Sequence, residues 1–230
     1  MSFSEMSITL DDVSCLLHLP IRGVFWSPQD VTEEVDVDYL GVSQGETQSH
    51  VRSCMDSYYK LEWLYNLFVQ HRAASSWAYA TRAYLLMFVG STIFSDKTFI
   101  LVEARYLLLF TDLDRCSGYS WGAAALVTLY RYLGDASMFS CKQLSGYPTL
   151  LQCWIHEYFP IVGKRGENWK PADNYGLPRA MRWSYRKGVL KVDDLRPILV
   201  ELTLADVIWR PFEDHRAWRQ FDELCLYRGV

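Results

Sequence analysis

YSWGAAALVTLYRYLG, residues 119–134, decides the fold: behind its Tyr-Ser-Trp-Gly opening, only Thr128 and Arg131 break a run of small, aliphatic and aromatic side chains. Such a run is a membrane span, the wall of a ligand pocket or the central helix of a packed core. With Ser120 as N-cap and Gly134 as the stop, the helix has about 13 residues and a length of about 20 Å. That is well short of the ~30 Å of a bilayer core. The middle of a helical bundle is the better reading, with Ala123, Ala124 and Ala125 permitting close approach by neighbours. Arg131 has two options: buried, it needs a carboxylate such as Glu103; exposed, it marks the outer edge of the helix.

The remainder of the chain agrees with a packed interior. Its 230 residues suffice for one large domain or two small ones, and a chain of this length buries roughly 70% of the surface its unfolded form exposes. Half of the residues are hydrophobic, 15% are aromatic and 22% are charged, the composition of a densely packed soluble protein. The most apolar stretch elsewhere, 83–110, is cut by Asp96, Lys97, Glu103 and Arg105, so no run reaches the ~18 residues of a spanning helix. Cys15, Cys54, Cys116, Cys141, Cys153 and Cys225 stand far apart, without a CxxC pair or a histidine at zinc-finger distance. The start, MSFSEMSITLDD, has neither the basic opening nor the apolar core of a signal peptide. The expectation is therefore free thiols in a reducing compartment, cytosol or nucleus.

Net charge is only −4, yet it is unevenly placed. Residues 1–60 hold ten acids against Arg22, Arg52 and Lys60. Over 164–191 the balance reverses, with Lys164, Arg165, Lys170, Arg179, Arg182, Arg186, Lys187 and Lys191 facing only Glu167 and Asp173. Such asymmetry hints at a polar partner surface.

Outward from 119–134, helical spacing recurs. ITLDDVSCLLHLPIRG, 8–23, offers Thr9 as N-cap, Asp11 and Asp12 in the positive first turn, and Val13, Leu16 and Leu17 on one face before Pro20 and Gly23 stop it. Residues 27–53 read as an exposed acidic connection with a helical turn at VDVDYLGV. Further helices are predicted over 58–70, over 76–89 with its end at Gly90, over 97–110, and over 148–158 with Pro160 closing it. Residues 162–188 lack a sustained period and read as a long loop with one short helix near 178–184. TLADV at 203–207 echoes TLDDV at 9–13, and both read as threonine-capped helix starts. The expected fold is mainly α: a single compact multi-helix domain with an irregular basic and aromatic loop region in its C-terminal third.

Several landmarks now stand in one order: SITLDDVSCLLHLPIRG, RAYLLMFVGSTIFSD, YSWGAAALVTLYRYLGDAS with the following LLQCWIHEYFP, and LADVIWRPF. Together they resemble the plant mobile domain, a family also labelled aminotransferase-like and found in MAIN and MAIN-like proteins, in long-form homologues of a plant Ser/Thr phosphatase and in plant transposable elements. The resemblance covers essentially the whole chain, so one such domain is expected over 1–230, its N-terminal end open to being incomplete. It implies a plant nuclear protein, linked to meristem maintenance, transposon silencing and transcriptional regulation and acting through protein partners, phosphatase-like nuclear proteins among them. No catalytic constellation and no cofactor comes with it. Tyr119, Ser120, Trp121, Gly122, Trp154 and Trp209 are its signature positions and are expected in the core.

A pyridoxal site needs a lysine with a carboxylate for the pyridine nitrogen and a phosphate cradle. Lys97 and Lys142 lack that setting, and neither GxGxxG nor a P-loop occurs. His156–Glu157 lacks a second histidine four residues away for a metal face. Asp112 and Asp114 beside Arg115 are either a Mg²⁺-binding pair or, more simply, a solvated link. No GxSxG elbow marks a nucleophile.

The segment 164–191 adds Trp169, Tyr175, Trp183 and Tyr185 to its basic residues. It reads as structure, as a protein-binding surface or as a nucleic-acid-binding one. The candidate partner surface is thus Lys164, Arg165, Lys170, Arg179, Arg182, Arg186 and Lys187. The leading expectation is a non-enzymatic nuclear interaction module with no membrane association. The alternatives are a transposon-derived nucleic-acid-binding domain and a cryptic metal-dependent hydrolase or nuclease.

Overall fold

A computed structural model describes residues 6–27, 33–53, 57–138, 144–163, 176–183 and 192–216. Along the chain run α1 (Leu10–Leu17), α2 (Glu33–Leu40), α3 (Gln44–Ser53), β1 (Tyr58–Lys60), α4 (Leu61–Ala73), α5 (Trp77–Ser91), β2 (Leu101–Glu103), α6 (Trp121–Ala136), α7 (Pro148–Tyr158), α8 (Pro160–Gly163) and α9 (Val192–Glu201). Short 3-10 helices lie at Ala104–Phe110, Leu113–Gly118, Arg179–Arg182 and Leu204–Asp206. The fold is mainly α, as helical spacing predicts. Met1–Arg22, Trp121–Leu126 and Pro148–Val230 form one compact unit; Gly23–Ser120 and Val127–Tyr147 form the other.

The second of these units is organised by the α4–α5 hairpin. Leu64 and Leu67 of α4, with Ala80, Ala83 and Leu86 of α5, are buried, and the two alanines leave room for close helix approach. The turn between the helices places Ser75 at φ 56. The stretch expected as an exposed connection over 27–53 instead contains α2 and α3. Tertiary contacts override its polar composition: Leu40 is fully buried, and its carbonyl lies 2.8 Å from Nε2 of the buried His71 on α4.

The helix expected over 97–110 is also replaced. The Asp96 carboxylate accepts hydrogen bonds from the backbone N–H groups of Thr98 and Phe99, and Phe99 adopts φ 58. That turn stops helix formation and sends the chain into β2, which pairs antiparallel with β1 in the register Tyr58↔Glu103, Tyr59↔Val102 and Lys60↔Leu101. Helical periodicity resumes only as the 3-10 turns of Ala104–Phe110, where Tyr106, Leu107, Leu109 and Phe110 are buried. Gly90 does not end α5 but lies inside it, because β2 passes so close that a Cβ there would stand 2.6 Å from both Cβ and Cγ2 of Val102.

In the unit built from the chain ends, α1 starts where the sequence predicts. Thr9 and Asp12 form a capping box, with the Thr9 N–H donating to Asp12 Oδ2 at 2.6 Å. The helix stops at Leu17, ahead of Pro20 and Gly23, because His18 turns into the left-handed region at φ 52 and its N–H donates to the Ser14 carbonyl. Gly122 lets the following turn lie on the start of α6: its N–H donates to the Pro20 carbonyl at 2.8 Å, and a Cβ would meet Ile21 Cγ2 at 2.8 Å. Pro160 opens α8 rather than only closing α7, consistent with proline's tolerance at the first helical position. TLADV repeats the capping box of TLDDV, with Thr203 bonded to Asp206.

α6 itself runs two residues beyond Gly134, where the Ser137 hydroxyl donates to the Gly134 carbonyl at 2.6 Å. Ser120 holds the N-cap position, but its side chain makes no capping bond. Ala123, Ala125, Leu126 and Leu129 are buried. Arg131 takes the outer-edge option: it is exposed, with its guanidinium 5.6 Å from the Tyr132 ring. Glu103 pairs with Arg105 instead.

Gly90→Ala is expected to destabilise the protein by about 2 kcal/mol, since the overlap with Val102 outweighs alanine's helix propensity. Urea unfolding of the two chains measures it; an unchanged or raised midpoint would show that β2 yields freely.

Candidate functional site

The densest polar cluster among the described residues is buried in the unit that contains α1 and α7. Glu157 projects from α7 with no exposed surface, and its Oε1 accepts from Arg179 Nε at 2.9 Å and from Trp183 Nε1 at 2.9 Å. Arg179, 3% exposed, also reaches Asp214 Oδ1 at 2.6 Å and lies 5.8 Å over the Phe212 ring. Arg182 is buried beside it, Nη1 4.0 Å from Asp214 Oδ2. The 3-10 helix Arg179–Arg182 therefore aims both of its arginines inward, where α7 meets Arg179 with the Glu157 carboxylate.

Two further connections tie α1 to this cluster. Asp11 accepts a two-pronged bond from Arg216, at 2.9 and 3.0 Å, the geometry that suits a planar guanidinium. Asp12 accepts from the Tyr158 hydroxyl at 2.7 Å. Burial pushes the Asp12 carboxyl above its ordinary range, opposed by its bonds from Thr9 and Tyr158. Burial, followed by the Asp12 charge, drives the Tyr158 phenol far above its usual value, so it stays a neutral donor.

His18 and the fully buried His215 complete the arrangement, Nε2 to Nε2 at 2.8 Å. His215 Nδ1 has no partner among the described residues. A proton there would be a buried, unsatisfied donor, so the favoured tautomer donates from His215 Nε2 to His18 Nε2. Burial holds His215 down to about 4, helped by His18, Arg179 and Arg182 and opposed by Asp214.

The chemistry of this cluster is mutual neutralisation. Four carboxylates, Asp11, Asp12, Glu157 and Asp214, face the guanidiniums of Arg179, Arg182 and Arg216, the Tyr158 phenol and the Trp183 indole. Glu157 Oε2 is buried and meets no donor among the described residues. Among those residues, no group of three or more His, Cys, Asp or Glu side chains is placed to hold a metal.

Arg179 and Arg182 are consequently not surface residues, contrary to the expectation of a basic partner surface; the carboxylates of Glu157 and Asp214 hold them inside. Lys164, Arg165, Lys170, Arg186 and Lys187 lie outside the described residues, as do Lys191, Trp169, Tyr175 and Tyr185. Trp183 takes the structural role, donating to Glu157 while its ring meets His156 edge-on at 5.0 Å. His156 and Glu157 form no pair, since successive helical residues point apart.

Asp112 caps the 3-10 helix Leu113–Gly118 by accepting from the Asp114 N–H at 3.1 Å. Lys97 is exposed and paired with Asp135 at 3.3 Å, and Lys142 lies outside the described residues. Of the signature positions, Ser120, Gly122 and Trp154 are buried, while Tyr119 and Trp121 are half-buried. Trp209 is 54% exposed and is no core residue: the Ile208 N–H bonds back to the Tyr158 carbonyl, and the next side chain turns outward. Cys15, Cys116 and Cys153 are free thiols, and burial pushes Cys153 up to about 12. Cys54, Cys141 and Cys225 lie outside the described residues.

The sequence signal missed was the pairing of Asp11 and Glu157 with arginines and of Asp12 with Tyr158, some 20 to 200 positions away. Their helix positions were legible; their partners were not.

A family profile described as Plant mobile domain matches residues 1–227. The chain is 37% identical to Protein MAIN-LIKE 1 of Arabidopsis thaliana over 91% of its own length and 41% of that protein. It is 35% identical to Protein MAINTENANCE OF MERISTEMS of the same plant, over 91% of this chain and 43% of the relative. A Serine/threonine-protein phosphatase 7 long form homolog, also from Arabidopsis thaliana, is 32% identical over 70% of this chain but only 12% of the relative. The chain thus spans less than half the length of these curated relatives. No solved structure matches it.

Arg179→Ala should cost about 3–5 kcal/mol by leaving Glu157 buried without its cation. In urea unfolding, Arg179→Met combined with Glu157→Gln should be less destabilised than Arg179→Ala; equal losses would mean that packing, not charge, sets the effect.

A second expectation concerns pH. The unfolded chain protonates its histidine near 6.5, whereas folded His215 does so near 4. The unfolded state therefore binds more protons as pH falls, and stability present above pH ~6.5 should decline by about 2 kcal/mol on reaching pH ~5. Unfolding curves at the two pH values should show this, with a shallower decline in His215→Gln.

Proposed function

Because the chain belongs to the plant mobile domain family, we propose that it is a non-enzymatic interaction domain, working in the plant nucleus in transposon and gene silencing, transcriptional regulation and the maintenance of meristems. The observation that carries the non-enzymatic part is how the buried polar groups are used. Asp11, Asp12 and Glu157 are committed to Arg216, Tyr158 and Arg179. A carboxylate oxygen that already accepts from a guanidinium or a neutral phenol is poorly placed to take a proton from a substrate.

The meristem role draws on the name of one relative, MAINTENANCE OF MERISTEMS. The phosphatase-named relative shares only 12% of its own length with this chain, so its name supports association with phosphatase-like proteins better than a phosphatase activity here. Partner binding then falls to the exposed side chains, among them the half-open Trp209, an aromatic of the type that anchors interfaces.

The tagged chain expressed in plant nuclei should co-purify with discrete nuclear proteins, identified by mass spectrometry against a tag-only control. A protein confined to the cytosol, with no partner above the control, would defeat the proposal.

A further inference from the structure

The hairpin of α4 and α5 presents an aromatic face that the core does not use. On α5, Trp77, Thr81, Tyr84 and Phe88 follow one another at the helical spacing i, i+4, i+7 and i+11 and are all exposed. On α4, Tyr65 and Val69 are exposed beside the half-buried Phe68. The rings form a ladder across the two helices: Tyr65 to Phe68 at 6.5 Å, Phe68 to Tyr84 at 5.6 Å and Tyr84 to Phe88 at 6.3 Å. These distances fall within the range of favourable aromatic contacts, so the rings stand as an ordered surface.

Area and charge together name the occupant. Trp77, Tyr65, Tyr84 and Phe88 are 63, 52, 45 and 49% exposed. With large aromatic side chains covering about 150–250 Å² each, these four alone offer about 400 Å². That is half of the ~800 Å² per partner of a standard interface, before Thr81, Val69 and the rim are counted. No acidic or basic side chain of α5 is exposed, since Arg82 is turned aside to the carbonyls of Phe110 and Thr111.

On α4, the exposed Glu62 and Arg72 flank the aromatic strip at opposite ends, ten positions or about 15 Å apart. An uncharged centre with one acid and one base at its two ends is complementary to itself when turned through a half-rotation. Glu62 of one copy then meets Arg72 of the other, as an isologous contact requires.

We infer that the α4–α5 face is the interface of a two-fold homodimer of this chain, with Tyr84 and Phe88 at its centre and two reciprocal Glu62–Arg72 pairs at its rim. Light scattering coupled to size exclusion, followed by sedimentation equilibrium on the full chain, tests this. The expected result is a dimer at about 50 µM, with Tyr84→Glu raising the dissociation constant at least about 100-fold while circular dichroism stays unchanged.

A second set keeps the aromatic face intact. Glu62→Arg and Arg72→Glu should each weaken the dimer, and the double exchange should restore it. A monomer at 50 µM, a dimer indifferent to Tyr84→Glu, or a double exchange weaker than either single change would overturn the inference.

Discussion

The Arg179–Glu157 contact is the constraint around which the unit containing both chain ends is arranged. Removing a guanidinium and a carboxylate from water costs several kcal/mol for each ion, and mutual attraction offsets this only with good geometry and further hydrogen bonds. Here the further bonds come from Trp183 on the carboxylate side and from Asp214 on the guanidinium side. Three separated stretches, α7, the turn at 179–183 and residues 212–216, must therefore meet at one point. An apolar core tolerates small slips between such stretches; a buried ion pair does not, because each ångström of misplacement leaves an unneutralised charge. Asp11–Arg216 and Asp12–Tyr158 extend the same demand to α1.

How far the sequence exposed this arrangement depended on the range of each interaction. Thr9 as an N-cap was legible because its partner, Asp12, lies three residues on, and the same holds for Thr203 and Asp206. The body of α6 was legible from its apolar run, and its end was misplaced by only two residues because Gly134 has open space around it and nothing there forces a stop. The strand pair was not legible. Residues 101–110 carry helical periodicity, and only the Asp96 turn together with the passage of β2 against Gly90 converts 101–103 to strand. The basic segment shows the same limit more sharply. Arg179 and Arg182 look like a phosphate-binding surface until Glu157, more than twenty positions earlier, is brought to them by the fold.

The aromatic content carries a related lesson. Fifteen per cent aromatic residues suggests a dense interior, and Tyr59, Phe110 and Phe212 do fill that role. A share of that content instead faces outward on α4 and α5, while Leu64, Leu67, Ala80, Ala83 and Leu86 are buried. The hairpin thus carries large apolar side chains on an outer face as well as inside, unlike the usual amphipathic pattern. The charged residues show the inverse reversal, with Asp11, Asp12, Glu157, Arg179 and Arg182 inside.

The bond between Asp11 and Arg216 joins residues 205 positions apart. Read against the direction of synthesis, this sets an order of events. Asp11 leaves the ribosome 205 residues ahead of Arg216, and Asp12 leaves it 146 residues ahead of Tyr158. At the usual elongation rate of about 5–20 residues per second, that wait is on the order of ten seconds or longer. During it, α1 has only the local capping bonds between Thr9 and Asp12 and lacks the long-range partners of both acids. The Asp11–Arg216 contact thus closes only after the 205 residues that separate its partners have been made, and α1 is open to chaperones in the interval.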